Sequence, residues 1–360
     1  MKSLLTILAG LALCAGMTGC RSYQADVSPD GRSVAVVTDK GVTIGPADGG
    51  KSRLVLKGAY DSPRYSPNGR FVAVHATKSK TVLIDPRTGQ STTLSTALEP
   101  PYAWRPDSSE LLGWRAPGRA SVLNVGKRIV VRGMDIPRPL DLVWFDDGSL
   151  ALKYSGSVAY WHGGATKTIP TQLASVSALT GNSRSLVWME TTEGGGSDLP
   201  HEKSILRSYD LKTGAISTLR ETPDIANLLG GKRYFCPTAF SISPDGDRLA
   251  FAGFEDLSPP GILDQLLAVQ RSRVSDPKNR ALKEKENSFL SQVRMRVVTA
   301  TTSIRNGGFV EVAHSPTMGS SKKRLEPQWD WGCPNDIRWA RNGQSISVAY
   351  TSGAQVLRLN

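Results

Sequence analysis

The chain has 360 residues, 39% hydrophobic and 21% charged, a balance that excludes a disordered chain and allows one large folded domain or two ordinary ones. Lys and Arg (44) outnumber Asp and Glu (32), giving a formal net charge of +12. A basic surface attracts nucleic acid, anionic lipid or acidic glycan, but no arginine-rich tract or nucleic-acid motif accompanies it, so the excess reads as dispersed surface charge and no nucleic-acid partner is expected.

Residues 1–20 read MKSLLTILAGLALCAGMTGC. One cation (Lys2), a short apolar run from Leu4 to Leu13 and a small-residue end make the layout of a secretory signal peptide, too short for a spanning helix. Met17-Thr18-Gly19-Cys20 resembles a bacterial lipobox, with Met17 standing where Leu is usual. That resemblance implies residues 1–19 as a signal peptide, Cys20 as the lipidated first residue of the mature chain, and residues 20–22 as a lipidated N-terminus. The membrane would then be engaged through acyl chains. The competing reading is ordinary cleavage near Ala15–Gly19 with a free Cys20. Arg21, not Asp, follows the cysteine, which by resemblance to Gram-negative lipoproteins implies the outer membrane facing the periplasm, if the host is Gram-negative.

From residue 23 onward one pattern recurs: apolar alternation, a turn of the Ser-Pro-Asp-Gly kind, and a second alternation. It appears at 26–38, 64–76, 103–114, 142–154, 178–190, 240–252 and 337–350, with turn residues Asp30, Asn68, Asp107, Asp147, Asn182, Asp245 and Asn342. The spacings are 38, 39, 40, 35, 63 and 97; the first four suit a propeller blade, and the last two require insertions. Pro presets φ and Asp-Gly or Asn-Gly supplies the positive φ of a tight hairpin, while alternation gives each strand one apolar face. A second hairpin completes the blade, clearest at 81–94 and 205–219. The expectation is an all-β chain, a β-propeller of about seven four-stranded antiparallel blades over 23–360, because such sheets bury their faces only by stacking around an axis. The last repeat ends soon after its third strand, leaving either a three-stranded blade or displaced blade boundaries.

The S-P-D/N-G-x-x-V/L-A-V/F pattern resembles the WD40-like repeat of the TolB propeller superfamily, best in the first, second and sixth repeats. The resemblance implies fold more than activity. TolB itself binds a peptidoglycan-associated lipoprotein and carries an extra N-terminal domain. Only three residues separate Cys20 from the repeats here, so no room for that domain is expected, which weakens a Tol-system role.

Two insertions fall between second and third strands, at about 193–203 and about 255–292. The latter has helix formers and reads as two short helices split near Ser275-Asp276-Pro277. Both should lie on the face that also carries the links between blades, either covering the channel mouth or as tolerated loops. Those links hold Tyr60, Asp61, Tyr102, Arg138, Tyr234, Trp329, Asp330 and Trp331, the residue types of a binding face or of a plug over the channel. Cys236 and Cys333 each stand nine residues before a turn residue, at equivalent places on adjacent blades. A disulfide between them is expected in an oxidising compartment; the alternative is two free thiols.

No catalytic motif emerges. His75, His162, His201 and His314 match no zinc-ligand spacing and do not reproduce the histidine-rich metal centres of sugar lyases in the resembling superfamily. There is no G-x-S-x-G elbow, and Asp146-Asp147 occupies a turn. No cofactor, metal or catalytic residue is expected. The reading is a monomeric, envelope-anchored, non-enzymatic scaffold that meets a protein or glycan partner through its loop-rich face. The alternative is a polysaccharide lyase or hydrolase working at the channel mouth, which a convergent carboxylate pair of perturbed pKa would favour.

Overall fold

The Ser-Pro-Asp-Gly turns are built by their own side chains. In the first, the Gly31 N–H donates to Ser28 O (2.8 Å), the Ser28 hydroxyl donates to Asp30 Oδ1 (2.6 Å), and the same hydroxyl accepts from the Ser33 N–H (2.9 Å). Gly31 stands at φ 72°, a left-handed conformation that costs glycine little. Ser66/Asn68 and Ser243/Asp245 repeat the network. The third turn has Ser108 in place of glycine, and it adopts φ 65°.

The computed structural model describes residues 24–47, 50–76, 80–115, 119–182, 184–191, 204–222, 234–304, 307–314, 318–319, 334–350 and 353–359. Cys20, Cys333, Trp329, Asp330, Trp331 and the 193–203 insertion lie outside the described residues, as do the side chains of Tyr234 and Cys236.

Seven antiparallel sheets follow one another. Blade one is β1 (Gln24–Val27), β2 (Ser33–Thr38), β3 (Gly41–Pro46) and β4 (Arg53–Lys57). Blade two is β5 (Tyr60–Tyr65), β6 (Val72–Ala76), β7 (Lys80–Ile84) and β8 (Ser91–Thr93). Blade three is β9 (Glu99–Trp104), β10 (Glu110–Arg115), β11 (Arg119–Asn124) and β12 (Ile129–Met134). Blade four is β13 (Asp141–Trp144), β14 (Leu150–Lys153), β15 (Val158–His162) and β16 (Ala165–Ile169). Blade five is β17 (Ser175–Gly181), β18 (Ser185–Thr191), β19 (Ser204–Asp210) and β20 (Ile216–Thr222). Blade six is β21 (Tyr234–Ile242), β22 (Arg248–Asp256), β23 (Arg294–Ser303) and β24 (Gly307–His314), with β25 (Met318–Gly319) also pairing with β23. Blade seven is β26 (Pro334–Trp339), β27 (Ser345–Tyr350) and β28 (Gly353–Arg358), three-stranded among the described residues.

The first strands touch in order β1, β5, β9, β13, β17, β21, β26, and β26 returns to β1, closing a ring of seven. Each seam between blades has its own apolar cluster. Blades three and four bury Trp114, Leu142, Trp144 and Leu152; blades five and six bury Met189, Leu206, Leu249 and Phe251. The seam between blades seven and one is the smallest, with Ala25, Val34 and Ala349 buried and Val36, Ala354 and Val356 against them. There the ring closes by side-chain packing, since β1 pairs only with β2 and is the inner strand of its own blade.

Polar ties cross the seams. The residue three before each turn residue points into a seam. At two of these positions a Trp indole donates to the first strand of the preceding blade, Trp104 Nε1 to Arg64 O (3.1 Å) and Trp339 Nε1 to Ser241 O (2.9 Å). Across the ring, Arg341 Nη1 donates to Pro106 O (3.3 Å), bridging the turns of blades seven and three at that end of the channel. The link into blade five is pegged by the fully buried Glu190 of β18. Its Oε2 accepts from the N–H groups of Gln172 (2.6 Å) and Leu173 (2.9 Å), and its Oε1 accepts from Trp188 Nε1 (2.8 Å). Arg207 Nη1 lies 3.7 Å from Oε1.

Between β22 and β23 the chain forms α1 (Ile262–Ser275) and α2 (Arg280–Leu290). Asp276 and Pro277 end the first helix, and Asn279 caps the second by accepting from the Leu282 N–H (3.2 Å). An Arg273–Glu286 ion pair ties the helices together. Leu266 and Leu290 bury against Ala250, Val297, Ile337 and Val348, so the hairpin is seated on the seam between blades six and seven. None of the helices among the described residues is long and apolar enough to cross a membrane.

Candidate functional site at the channel mouth

Each first strand enters from an inter-blade link and leaves at a Ser-Pro-Asp-Gly-type turn, so the channel has a link end and a turn end. Connections from second to third strands, including the helical hairpin, return to the link end. There the channel opens into a cavity of about 710 Å³ lined by the starts of the first strands and by the links. Its lining includes the apolar Pro100, Pro101, Pro139 and Leu140, with Leu140 63% exposed. Charged residues flank them and continue around the mouth: Arg64, Asp141, Asp336 and Arg338.

The charges compensate one another. Arg64 Nη2 donates to Asp141 Oδ1 at 3.1 Å, Arg338 Nε to Asp336 Oδ2 at 2.9 Å, and Arg138 Nη1 to Glu99 Oε2 at 2.8 Å. Lys153 Nζ donates to Ser177 O (3.0 Å). Gln24 reaches across a seam, its Oε1 accepting from the Ser62 N–H. One level deeper, the buried Asp26 accepts from the Tyr65 N–H at 2.7 Å. Burial pushes the Asp26 carboxyl up to about 6 against the opposing pull of Arg64 and the Tyr65 N–H. Burial likewise pushes Asp336 up to about 7; Arg64 lowers it, while Asp26 and Asp141 raise it.

Of the residues that the sequence proposes for a binding face, Tyr102 and Arg138 line this cavity. Tyr102 is buried, and its hydroxyl donates to Leu98 O (2.7 Å), so it braces the wall. Arg138 remains accessible beside Glu99. Tyr60 and Asp61 begin β5 at the rim, where His75 Nδ1 lies 3.2 Å from both Asp61 carboxylate oxygens. Burial alone would raise Asp61, but hydrogen bonds from His75 and Ser62 and the nearby Arg138 prevail and hold it below the usual carboxylate range. His162 is exposed and stacks on Tyr160 at the outer part of blade four. Among the described residues no group of His, Cys, Asp and Glu is arranged to hold a metal ion. Sequence reasoning misses Gln24, Asp26, Arg64, Asp141, Asp336 and Arg338. They stand four or six residues before their turn residues, the channel-facing phase of strands whose other phase fills the seams.

A second concavity, of about 760 Å³, lies at the turn end between blades one and two, with Arg32, Lys51 and Arg87 among its lining.

The chain matches no family model and no curated protein. Solved structures match it over nearly its whole length. A chain of the mitotic checkpoint complex aligns with a TM-score of 0.57 at 15% identity, covering 93% of this chain and 86% of that one. The RRP9 WD40 repeats align with a TM-score of 0.57 at 11% identity, covering 94% and 95%. The β-propeller domain of Cps50 (Swd1) from Myceliophteria thermophila aligns at 0.55 and 10% identity, covering 94% and 98%. These likenesses show a seven-bladed WD40-like propeller fold.

Proposed function

We propose that this chain is a non-enzymatic binding scaffold of the bacterial envelope, anchored through a lipidated Cys20, which receives a protein partner at the link end of its channel. The observation that carries the reading is the mouth itself. It combines an exposed Leu140 beside the partly buried Pro101 and the buried Pro139 with ion pairs already satisfied within the chain. This arrangement suits recognition of a surface better than attack on a bond. The similarity to a chain of the mitotic checkpoint complex, an assembly of proteins, agrees with a protein partner. The lipobox-like Met17-Thr18-Gly19-Cys20 supports the anchor, and the S-P-D/N-G repeats support kinship with the TolB propeller superfamily.

The test is affinity capture from detergent-solubilised envelope with the mature chain, beside variants Arg138→Glu and Leu140→Asp at exposed mouth positions. A specific protein retained by the parent and lost from both variants supports the scaffold. Capture that is indifferent to both variants refutes the mouth as the docking site.

One observation favours a second reading. Asp26 and Asp336 are a convergent carboxylate pair with raised pKa values, as a general acid in glycan cleavage requires. Against it, Asp26 is buried and held by the Tyr65 N–H. Glycan retained by the parent and shortened with time, with shortening abolished by Asp336→Asn, would establish the enzyme in place of the scaffold.

A further inference from the structure

We infer that the link-end face of the propeller lies against the lipid bilayer, so that the channel mouth opens toward the membrane and whatever enters it is held in or on that membrane. This rests on the proposed lipidation of Cys20.

Gln24, the first residue of β1, lines the mouth cavity. Its strand is the innermost of blade one, so the chain reaches the propeller at the centre of the link-end face. Three residues separate Cys20 from Gln24; fully extended, that stretch of chain reaches about 14 Å. A four-stranded blade places its outer strand roughly 14 Å from its inner one at the ordinary strand spacing. Standing the propeller on the rim of blade one would therefore use the whole tether before any side chain is counted, and standing it on another rim would exceed the tether. Turning the opposite face to the bilayer would require the chain to pass around or through the ring. The short central tether leaves the mouth face apposed to the headgroups, flat or tilted.

The surface itself agrees. Leu140, between β12 and β13, and Leu257, between β22 and α1, expose 63% and 40% of their area, and both lie on link-end connections. Exposed leucines at headgroup depth are favourable, whereas in water they are a cost. The hairpin of α1 and α2 rises from the same face, with Lys278, Lys283 and Lys285 exposed. At the turn end, Lys51, Lys127 and Lys212 are exposed on third-to-fourth-strand connections. The two sets of lysines report the two faces.

The precursor is expressed in a bacterial host, and the lipidated chain is placed in vesicles of phosphatidylcholine and phosphatidylglycerol (3:1 by design). Lysines are labelled with an amine-reactive reagent and quantified by mass spectrometry, with the soluble C20S chain as reference. Labelling of Lys278, Lys283 and Lys285 is expected to fall at least threefold on vesicles, while Lys51, Lys127 and Lys212 stay unchanged. A Cys20 peptide without diacylglycerol overturns the lipid reading, and this inference with it. A lipidated Cys20 with the turn-end lysines protected, or with neither set protected, overturns the orientation alone.

Discussion

Glu190→Gln is a change of one atom in the chain's best-connected buried carboxylate. The native carboxylate presents only acceptors, and three donors converge on it: the Gln172 and Leu173 N–H groups on one oxygen and the Trp188 indole on the other. An amide has one acceptor face. With its oxygen toward the backbone pair, its NH₂ meets the indole N–H, and a buried donor loses its partner at about 1–3 kcal/mol. The two remaining bonds lose their charge assistance, and the nearly buried Arg207 loses its counter-charge. The sum is about 4 kcal/mol. In urea unfolding, with an m-value of roughly 3 kcal/mol/M for a chain of this size, the midpoint should fall by more than about 1 M. Trp188→Phe removes the conflicting donor, so it should cost less in the Glu190→Gln background than in the parent, a coupling readable from the double-mutant cycle. A midpoint moved by less than about 0.3 M, or strict additivity with Trp188→Phe, would refute the reasoning.

Asp26 and Asp336 hold protons more tightly in the folded chain than the ordinary value of 3.8. Folding is therefore undisturbed by them below about pH 4, and stability declines as pH rises through about 6 and 7, by on the order of 3 kcal/mol for either group alone. Asp336→Asn should accordingly be near neutral below about pH 4 and stabilising at pH 8 in thermal unfolding; greater destabilisation at pH 8 would show that the carboxylate is held in place through Arg338. Trp104→Phe and Trp339→Phe each remove an indole bond across a seam and should cost about 1–2 kcal/mol in denaturant titration. Trp144→Phe should cost less, since that indole N–H has no partner among the described residues. Gly41→Ala forces a Cβ to 1.9 Å from Leu56 O at φ 138° and should cost at least about 3 kcal/mol or prevent folding, judged by soluble yield and far-UV dichroism.

The blades are legible in the sequence because each turn carries its own chemistry. Ser28, Asp30 and Gly31 bond to one another within four residues of chain, so a local pattern maps directly onto a local structure. The two long spacings hide nothing essential, since helix formers between Ile262 and Leu290 stand apart from the alternating strands. The mouth is harder to read. Arg64 and Asp141 come from different blades, 77 residues apart, and nothing local to either names the other. Yet the phase was available. If Val27, Trp104, Trp144 and Trp339 fill seams three residues before their turns, then Asp26, Arg64 and Arg338, one residue earlier, must face the axis. Aromatic residues in the links are the conspicuous local signal, yet one of them, Tyr102, directs its hydroxyl to Leu98 O inside the wall.

The placement of β1 also has a mechanical meaning. The strand runs along the channel, and its four pairs with β2, Gln24 with Val37 through Val27 with Val34, lie across it like the rungs of a ladder. A pull on the chain ahead of Gln24, directed out of the mouth, loads all four rungs at once in shear instead of opening them one by one. Strain would pass along β2 into blade one, while the lightly packed seam with blade seven, lying beside the line of force, would be left to slide.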